Sequence, residues 1–206
     1  MPEINRGKKL KNSAQPCKAE LADKFVCYQH SVQEPDHEVR VFDQVYREAY
    51  KTTPMTLRED FCGTFAVSCE WAKSDKNRQA IGLDICPETI AWGTENNLGK
   101  LKAKVAERIE VLKQDVRSRT VPQVDVLAAQ NFSFWCFKTR AEVVNYFKTA
   151  CENLGEKGVM VMDMMGGKEC YASGVTDKRT IIKGKEGFKY HWEQAYFNPV
   201  TADCSF

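Results

Sequence analysis

The fold is decided by the stretch Leu57-Arg58-Glu59-Asp60-Phe61-Cys62-Gly63-Thr64, which is followed by a largely apolar run over residues 65–72. About twenty residues further on, the segment Ala80-Ile81-Gly82-Leu83-Asp84-Ile85 has the character of a strand that ends in an acid. An extended segment thus enters a small-residue turn, the turn opens a helix, and a second strand carries a carboxylate. This is the layout of a nucleotide-binding βαβ unit, in which backbone N–H groups approach a ligand and the acid accepts hydrogen bonds from ribose hydroxyls.

Strands and helices alternate on both sides of this unit. The predicted strands cover residues 56–60, 79–84, 109–112, 124–129 and 159–165. The predicted helices cover residues 19–29, 39–50 and 64–73, a segment opened by Pro87, and a segment that begins with the capping pair Thr139 and Glu142 and stops at Gly155. We therefore predict an α/β fold with a doubly wound, mostly parallel, Rossmann-like sheet.

The pattern changes after Gly167. Residues 179–183 and 187–196, joined around Gly184-Lys185-Glu186, predict an antiparallel hairpin, and residues 202–206 begin a further short strand. We predict a disordered basic tail over residues 1–18 and a single domain over residues 19–206. Within that domain, residues 19–51 form N-terminal helices, residues 55–165 form the cofactor-binding core, and residues 168–206 form a hairpin that covers the substrate.

The composition is that of an ordinary globular chain, with 43% hydrophobic residues, 28% charged residues and a net charge of +2. This balance indicates neither nucleic acid nor a membrane as a partner, and no apolar run is long enough to cross a bilayer. The nine cysteines include no Cys-x-x-Cys pair and no cluster with histidine. We therefore expect free thiols, no metal site and a reducing, cytoplasmic environment.

Three nucleotide-binding folds share the strand–turn–helix opening. A P-loop needs a Gly-Lys-Ser/Thr run, which is absent, and a dinucleotide fingerprint needs three glycines, of which only Gly63 is present. The third is the class I S-adenosylmethionine-dependent methyltransferase. Three segments of the chain resemble a poorly characterised subfamily of these enzymes. They are Leu-Arg-Glu-Asp-Phe-Cys-Gly-Thr, Gly-Leu-Asp-Ile-x-Pro-Glu and Asn131-Phe132-Ser133. Phe61 and Phe65 stand where the generic motif has its first and last glycines.

The resemblance implies a binding site for S-adenosylmethionine. The implied cofactor-binding residues are Arg58, Glu59, Phe61, Cys62, Gly63, Thr64, Asp84, Ile85, Asp115, Val116 and Asn131. The turn over residues 61–64 would wrap the methionine and ribose parts, and Asp84 would accept the ribose hydroxyls. Two alternatives without a ligand stay open: residues 61–64 form an ordinary strand-to-helix turn, and Asp84 forms a helix N-cap.

The neighbouring positions take further roles by the same resemblance. Glu59, or Asp60 if the register shifts by one, would support the turn and the methionine amino group. Arg58 would pair either with the methionine carboxylate or with Glu59. Asp115 would receive the adenine amino group, and Asn131 lies where the family meets its substrate.

The aromatic residues near the expected site have two interpretations. Phe132, Phe134 and Trp135 either enclose a sulfonium by cation–π attraction or pack into the core, and we expect at least two of them in the core. Phe65 either crowds the turn or packs sideways into the interior. Tyr28 and Gln33 are candidates for a lid over the cofactor.

Three functions follow from these patterns. The first is an S-adenosylmethionine-dependent methyltransferase with an unknown acceptor, for which the sequence names no catalytic residue. The second is an inactive methyltransferase-like scaffold, because the family sheet ends with two further strands and Phe206 leaves no room for them; the open sheet edge would suit a second copy or another partner. The third is a nicotinamide-dependent oxidoreductase, against which the shortage of glycines argues.

Overall fold

A five-stranded sheet forms the centre of the computed structural model, which describes residues 17–183 and 186–206. The strands are β1 (Thr56–Asp60), β2 (Gln79–Asp84), β3 (Ile109–Lys113), β4 (Val124–Ala129) and β5 (Leu154–Met162). Their order is β3-β2-β1-β4-β5, and every neighbouring pair is parallel. The strand order reverses between β1 and β4, and open α/β sheets bind ligands outside the carboxyl ends of strands at such a point. The predicted doubly wound, Rossmann-like fold is confirmed.

Helices cover both faces of the sheet. They are α1 (Lys18–Leu21), α2 (Lys24–Val32), α3 (Pro35–Tyr50), α4 (Ala66–Ser74), α5 (Pro87–Asn96), α6 (Ala103–Ala106) and α7 (Arg140–Asn153). Proline occupies the first turn of α3 and of α5, where its missing N–H has no intrahelical partner to lose. The predicted capping box of α7 is present, with Thr139 and Glu142 each bonding the other's backbone N–H.

The core lies in two main layers. Val39, Phe42 and Tyr46 of α3 pack with Leu57 of β1 and Trp71 of α4 on one face of the sheet. The other face packs under α7, where a second cluster centres on Leu83, Phe134 and Tyr146. Because strand side chains alternate between faces, neighbouring residues of β1 meet different layers. This alternation decides the environment of each charged residue in the Arg58-Glu59-Asp60 run.

The chain after β5 forms separate antiparallel pairs. β6 (Val175–Lys183) pairs with β7 (Glu186–Gln194), and β8 (Tyr196–Phe197) pairs with β9 (Cys204–Ser205). The predicted hairpin is therefore present, although its turn at Gly184 and Lys185 lies outside the described residues. β5 is an outer strand of the main sheet within the described ranges. The expectation of a partner along it stays a prediction.

Several element boundaries differ from the sequence predictions: α3 begins at Pro35 rather than at residue 39, and β5 ends at Met162 rather than at residue 165. The helix predicted over residues 19–29 is two helices: the first ends at Leu21 with an extended Ala22 as its C-cap, and Asp23 caps the second by accepting from the N–H groups of Phe25 and Val26. α1 also begins at Lys18, inside the predicted tail, of which residues 1–16 lie outside the described residues. Gly155 is not a helix stop but part of β5, which begins at Leu154 and tolerates a register shift opposite Val124 and Val126. Among the described helices, none is both long and apolar enough to span a membrane.

Candidate functional site

The turn between β1 and α4 takes three residues into the left-handed region of backbone space. Phe61 has a φ of 56°, Gly63 of 53° and Phe65 of 46°. The two phenylalanines that replace motif glycines therefore keep a glycine-like backbone, which costs an L-residue about 1–2 kcal/mol. Hydrogen bonds hold the turn in place: the Cys62 N–H donates to the Leu83 carbonyl at 2.9 Å, and the Phe65 N–H donates to the Cys62 carbonyl at 2.6 Å.

Asp84, at the end of β2, faces this turn. Its Oδ2 accepts from the Gly63 N–H at 2.8 Å, and its Oδ1 accepts from the Cys86 N–H at 2.8 Å. Cys86 is the N-cap residue of α5, so Asp84 precedes the cap rather than forming it. A carboxylate offers about four acceptor positions, so this half-buried side chain keeps capacity for further donors.

Glu59 connects the end of β1 to the start of α4. Its Oε2 accepts from the Ser68 N–H at 2.9 Å and from the Ser68 hydroxyl. Ser68 lies in the first turn of α4, where unpaired N–H groups favour a carboxylate. Burial raises the pKa of Glu59 to about 8, against the opposing effect of the bonds from Ser68. Glu59 therefore supports the turn through α4 rather than facing it directly.

Arg58 does not take either partner that the sequence suggested. It is fully buried, and its Nε donates to Asp60 Oδ1 at 2.7 Å. Its other nitrogens donate to the carbonyls of Val116 and Ser118 and to the Thr120 hydroxyl. The physical reason is strand alternation: Arg58 and Asp60 share the face under α7, while Glu59 points to the opposite layer. Both suggested pairings of Arg58, with Glu59 and with a methionine carboxylate, are therefore corrected to a structural ion pair.

Three further members of the predicted set lie largely in the interior. Cys62 is buried beside Gly82, where an added Cβ would meet Cys62 Sγ at 3.0 Å. The Val116 side chain is buried in the cluster under α7. Thr64 is buried, and its hydroxyl accepts from Gln29 Nε2 at 2.6 Å. The side chains of Cys62 and Val116 therefore pack in the interior, and the Val116 carbonyl accepts from Arg58.

The ring of Phe65 packs into the core rather than crowding the turn. Phe65 is fully buried and clusters with Cys69, Ala72 and Ile109. It also lies against α5, since a Cβ added at Gly93 would fall 2.6 Å from Phe65 Cε1. The second of the two interpretations of Phe65 is therefore correct, and α4 and α5 meet around its ring.

The helix α2 and its N-cap contact the turn after β1 and the helix α5. Gln29 reaches the Thr64 hydroxyl, and the Trp92 Nε1–H of α5 donates to Asp23 Oδ2 at 2.7 Å. The rings of Phe25 and Trp92 lie with centroids 5.2 Å apart. Gln29, unlike the lid candidates Tyr28 and Gln33, was not predicted, because a single polar residue in a short helix carries no recognisable signal.

Two implied residues follow neighbouring strands: Asp115 comes after β3, and Ile85 comes after β2. Asp115 accepts from Arg117, whose Nε and Nη2 lie 2.9 and 2.6 Å from its two carboxylate oxygens. These bonds lower the pKa of Asp115. Ile85, directly after β2, is 68% exposed, so its side chain is free for contact with a ligand.

The loop after β4 holds Asn131 and Phe132, both with left-handed backbone. The Phe132 N–H donates to Asp163 Oδ1 at 2.7 Å, which ties this loop to the end of β5. Phe134 is buried in the core and Trp135 packs against the same cluster, as expected for two of the three aromatic residues. Phe132 instead contacts Trp135 and the ring of Phe206.

A cavity of about 410 Å³ opens beside Asn131. Its walls come from the end of α2, the first half of α3, the carboxyl ends of β4 and β5, and Arg179 of β6. Glu38 of α3 lines it with a buried Oε2 that has no hydrogen-bond partner among the described residues. The sequence held a signal for Glu38 that went unused: positions 38, 42 and 46 are four residues apart, so a charged residue continues the buried stripe of α3.

No family model matches the chain, and no curated protein matches it. Solved structures do match. SAM-bound CalS10, an amino pentose methyltransferase from Micromonospora echinaspora, has a TM-score of 0.66 and 15% identity over 84% of this chain and 69% of its own. Streptomyces venezuelae DesVI has a TM-score of 0.65 and 14% identity over the same shares.

The glycopeptide N-methyltransferase MtfA, complexed with sinefungin, has a TM-score of 0.55 and 12% identity over 81% of this chain and 69% of its own. At these identities the likeness is one of fold. The chain has the Rossmann-like fold of class I methyltransferases.

Proposed function

We propose that the chain is an S-adenosylmethionine-dependent methyltransferase. The observation that carries the proposal is Asp84, a half-buried carboxylate at the end of β2 that faces the tight turn after β1. Methyltransferases of the same fold have been crystallised with S-adenosylmethionine, S-adenosylhomocysteine or sinefungin, which supports the choice of ligand.

The donor and acceptor groups around the turn fit an adenosyl group. Asp84 has acceptor capacity beyond its bonds to Gly63 and Cys86, which suits the paired hydroxyls of a ribose. Asp115, after β3, keeps its charge through Arg117 and would accept the adenine amino group. Ile85, directly after Asp84, offers an exposed apolar side chain for the flat face of the base.

The chain's own contribution is binding and alignment. The bound cofactor supplies a methyl group made electrophilic by a positively charged sulfur. The backbone of the turn over residues 61–64 holds the methionine part, and Glu59 keeps that turn anchored to α4. Gln29 holds α2 over Thr64, which reduces the access of water to the crevice. An acceptor entering beside Asn131 then meets the methyl group in a fixed orientation.

Equilibrium binding tests the proposal. We expect calorimetry to detect S-adenosylmethionine binding to the intact protein and Asp84→Ala to weaken it at least about tenfold, since a hydrogen bond to a charged group contributes about 1.5–3 kcal/mol. Asp75→Ala is the matched control, because Asp75 precedes the amino end of the same strand. Circular dichroism and melting temperature verify that each variant is folded. Absence of binding to the intact protein would remove the proposal.

The two other functions have distinct outcomes in related assays. A nicotinamide-dependent enzyme would be stabilised in a thermal-shift assay by NAD and not by S-adenosylmethionine, because a ligand of the native state raises the melting temperature. An inactive scaffold would bind the sulfonium cofactor and transfer its methyl group to no acceptor across a broad panel.

A further inference from the structure

The cavity beside Asn131 is a candidate binding site for the molecule that accepts the methyl group. Its volume of about 410 Å³ suits a compact organic molecule. Asn131 follows β4, and β4 is hydrogen-bonded to β1, the strand that leads into the turn. Phe42, which lines the cavity, packs in the same cluster as Leu57 of β1.

Glu38 is the polar group in this cavity that most clearly needs a partner. Among the residues that the structure describes, no donor reaches its buried Oε2, and the Oε1 accepts from the Glu34 N–H alone, at a long 3.4 Å. A buried acceptor left unsatisfied costs about 1–3 kcal/mol, and more if charged. Glu38 therefore favours a ligand that brings N–H groups.

The charges around the cavity favour a cation. Its acidic residues are Glu34, Glu38 and Asp163, and its basic residues are His37 and Arg179. Arg179 is already matched within its own strand, since its Nε lies 2.9 Å from Asp177 Oδ2. The remaining excess of carboxylates selects an ammonium group over an anion or a neutral alcohol. The apolar part of the wall, which includes Val41, Phe42 and Met162, would receive a short hydrocarbon portion.

We propose that the acceptor is an amine and that Glu38 binds its ammonium group and takes a proton from it. This inference rests on the proposed function. The Glu38 carboxylate accepts one proton from the ammonium and exposes the nitrogen lone pair. That lone pair forms the new N–C bond to the methyl carbon as the C–S bond breaks, and its electrons remain on sulfur as a neutral thioether. The methylated nitrogen carries the positive charge, and the proton on Glu38 passes to water after product release.

The electrostatic environment of Glu38 supports this role. Burial raises the pKa of Glu38, and the charge of Asp163 adds to the effect. A carboxylate with a raised pKa is a stronger base and so a better proton acceptor near neutral pH. Tyr28 shares this environment: burial raises its pKa first, followed by the charges of Glu38 and Asp163.

The test measures binding of three amines and their alcohol counterparts: benzylamine, cyclohexylamine and n-butylamine against benzyl alcohol, cyclohexanol and n-butanol. Each compound is titrated into the intact protein saturated with S-adenosylhomocysteine, and its binding is followed by NMR. We expect each amine to bind at least tenfold more tightly than its alcohol. Glu38→Gln should abolish this preference and leave S-adenosylmethionine affinity within about threefold. Glu48→Gln, an exposed change on the same helix, should preserve both.

The outcomes separate this inference from the proposed function. Equal binding of amines and alcohols to the unaltered protein, with S-adenosylhomocysteine bound, overturns the amine assignment alone. A large loss of S-adenosylmethionine affinity in Glu38→Gln would assign Glu38 to the cofactor and also overturn it. Failure of the unaltered protein to bind either form of the cofactor refutes the proposed function itself. The preference of the unaltered protein needs no variant, so a folding defect in Glu38→Gln does not block the test.

Discussion

Replacing Glu59 by glutamine should change how the stability of this protein depends on pH. The side chain is fully enclosed, and burial raises its pKa from 4.5 to about 8 in the folded state. The folded protein therefore keeps a proton that the unfolded chain releases between these two values. The free energy of unfolding falls with rising pH wherever the native state binds more protons than the unfolded chain. The stabilising contribution of Glu59 is therefore fully present below about pH 4.5 and is lost as the pH rises towards 8.

The magnitude follows from the size of the shift. Each pKa unit corresponds to about 1.4 kcal/mol. The interval from about pH 5 to about pH 7.5 lies between the pKa of Glu59 in the unfolded chain and its pKa in the folded protein. The free energy of unfolding should thus fall by about 3 kcal/mol over this interval through Glu59 alone. Glutamine keeps an acceptor for Ser68 but does not titrate, so the fall should be absent from Glu59→Gln.

Urea denaturation of the unaltered protein and of Glu59→Gln at the two pH values measures this difference. We expect the variant to gain about 3 kcal/mol relative to the unaltered protein between the lower and the higher pH. Glu107→Gln, which removes an exposed carboxylate, corrects for the general loss of one negative charge. A difference that stays constant within about 0.5 kcal/mol would refute the reasoning, because Glu59 would then titrate as an exposed carboxyl does.

Two further substitutions test how the turn is supported. Arg58→Met should lower the free energy of unfolding by about 3–5 kcal/mol in urea, because it leaves the Asp60 carboxylate buried without its cation; a loss below about 1 kcal/mol would contradict a buried pair. Gly93→Ala should lower the melting temperature although alanine favours helix, because the added Cβ would lie 2.6 Å from the Thr64 carbonyl oxygen and 2.6 Å from Phe65 Cε1. An unchanged or higher melting temperature would mean that α5 does not lie against the turn.

The positions of several strands and helices were predictable because they depend on sequence patterns that act over a few residues. Strand β2 and the helix opened by Pro87 have the predicted positions, since apolar runs and a first-turn proline act over a few residues. The position of Asp84 at the end of β2 follows from the same local pattern, whereas its contact with the Gly63 N–H depends on the pairing of β1 with β2. The break at Asp23 was missed because its capping bonds compete with a helix pattern that continues through it.

The pairing of charged residues was not predictable from the same signals. Arg58, Glu59 and Asp60 are consecutive, and only the direction of each side chain decides that the first pairs with the third. That direction depends on α7, whose Tyr146 hydroxyl donates to Asp60 Oδ2 at 3.0 Å from far along the chain. The spacing of Glu38 with Phe42 and Tyr46 places it on the buried side of α3, but the cavity that it lines combines α2, α3 and the ends of β4 and β5, which meet only in the folded chain.

A crystal structure of the chain with S-adenosylhomocysteine would show directly whether Asp84 binds the ribose. We expect the ribose hydroxyls to lie within about 3 Å of the Asp84 carboxylate, with the sulfur directed towards Asn131. A nucleoside bound elsewhere, or an Asp84 side chain that makes no contact with the sugar, would exclude the proposed cofactor site.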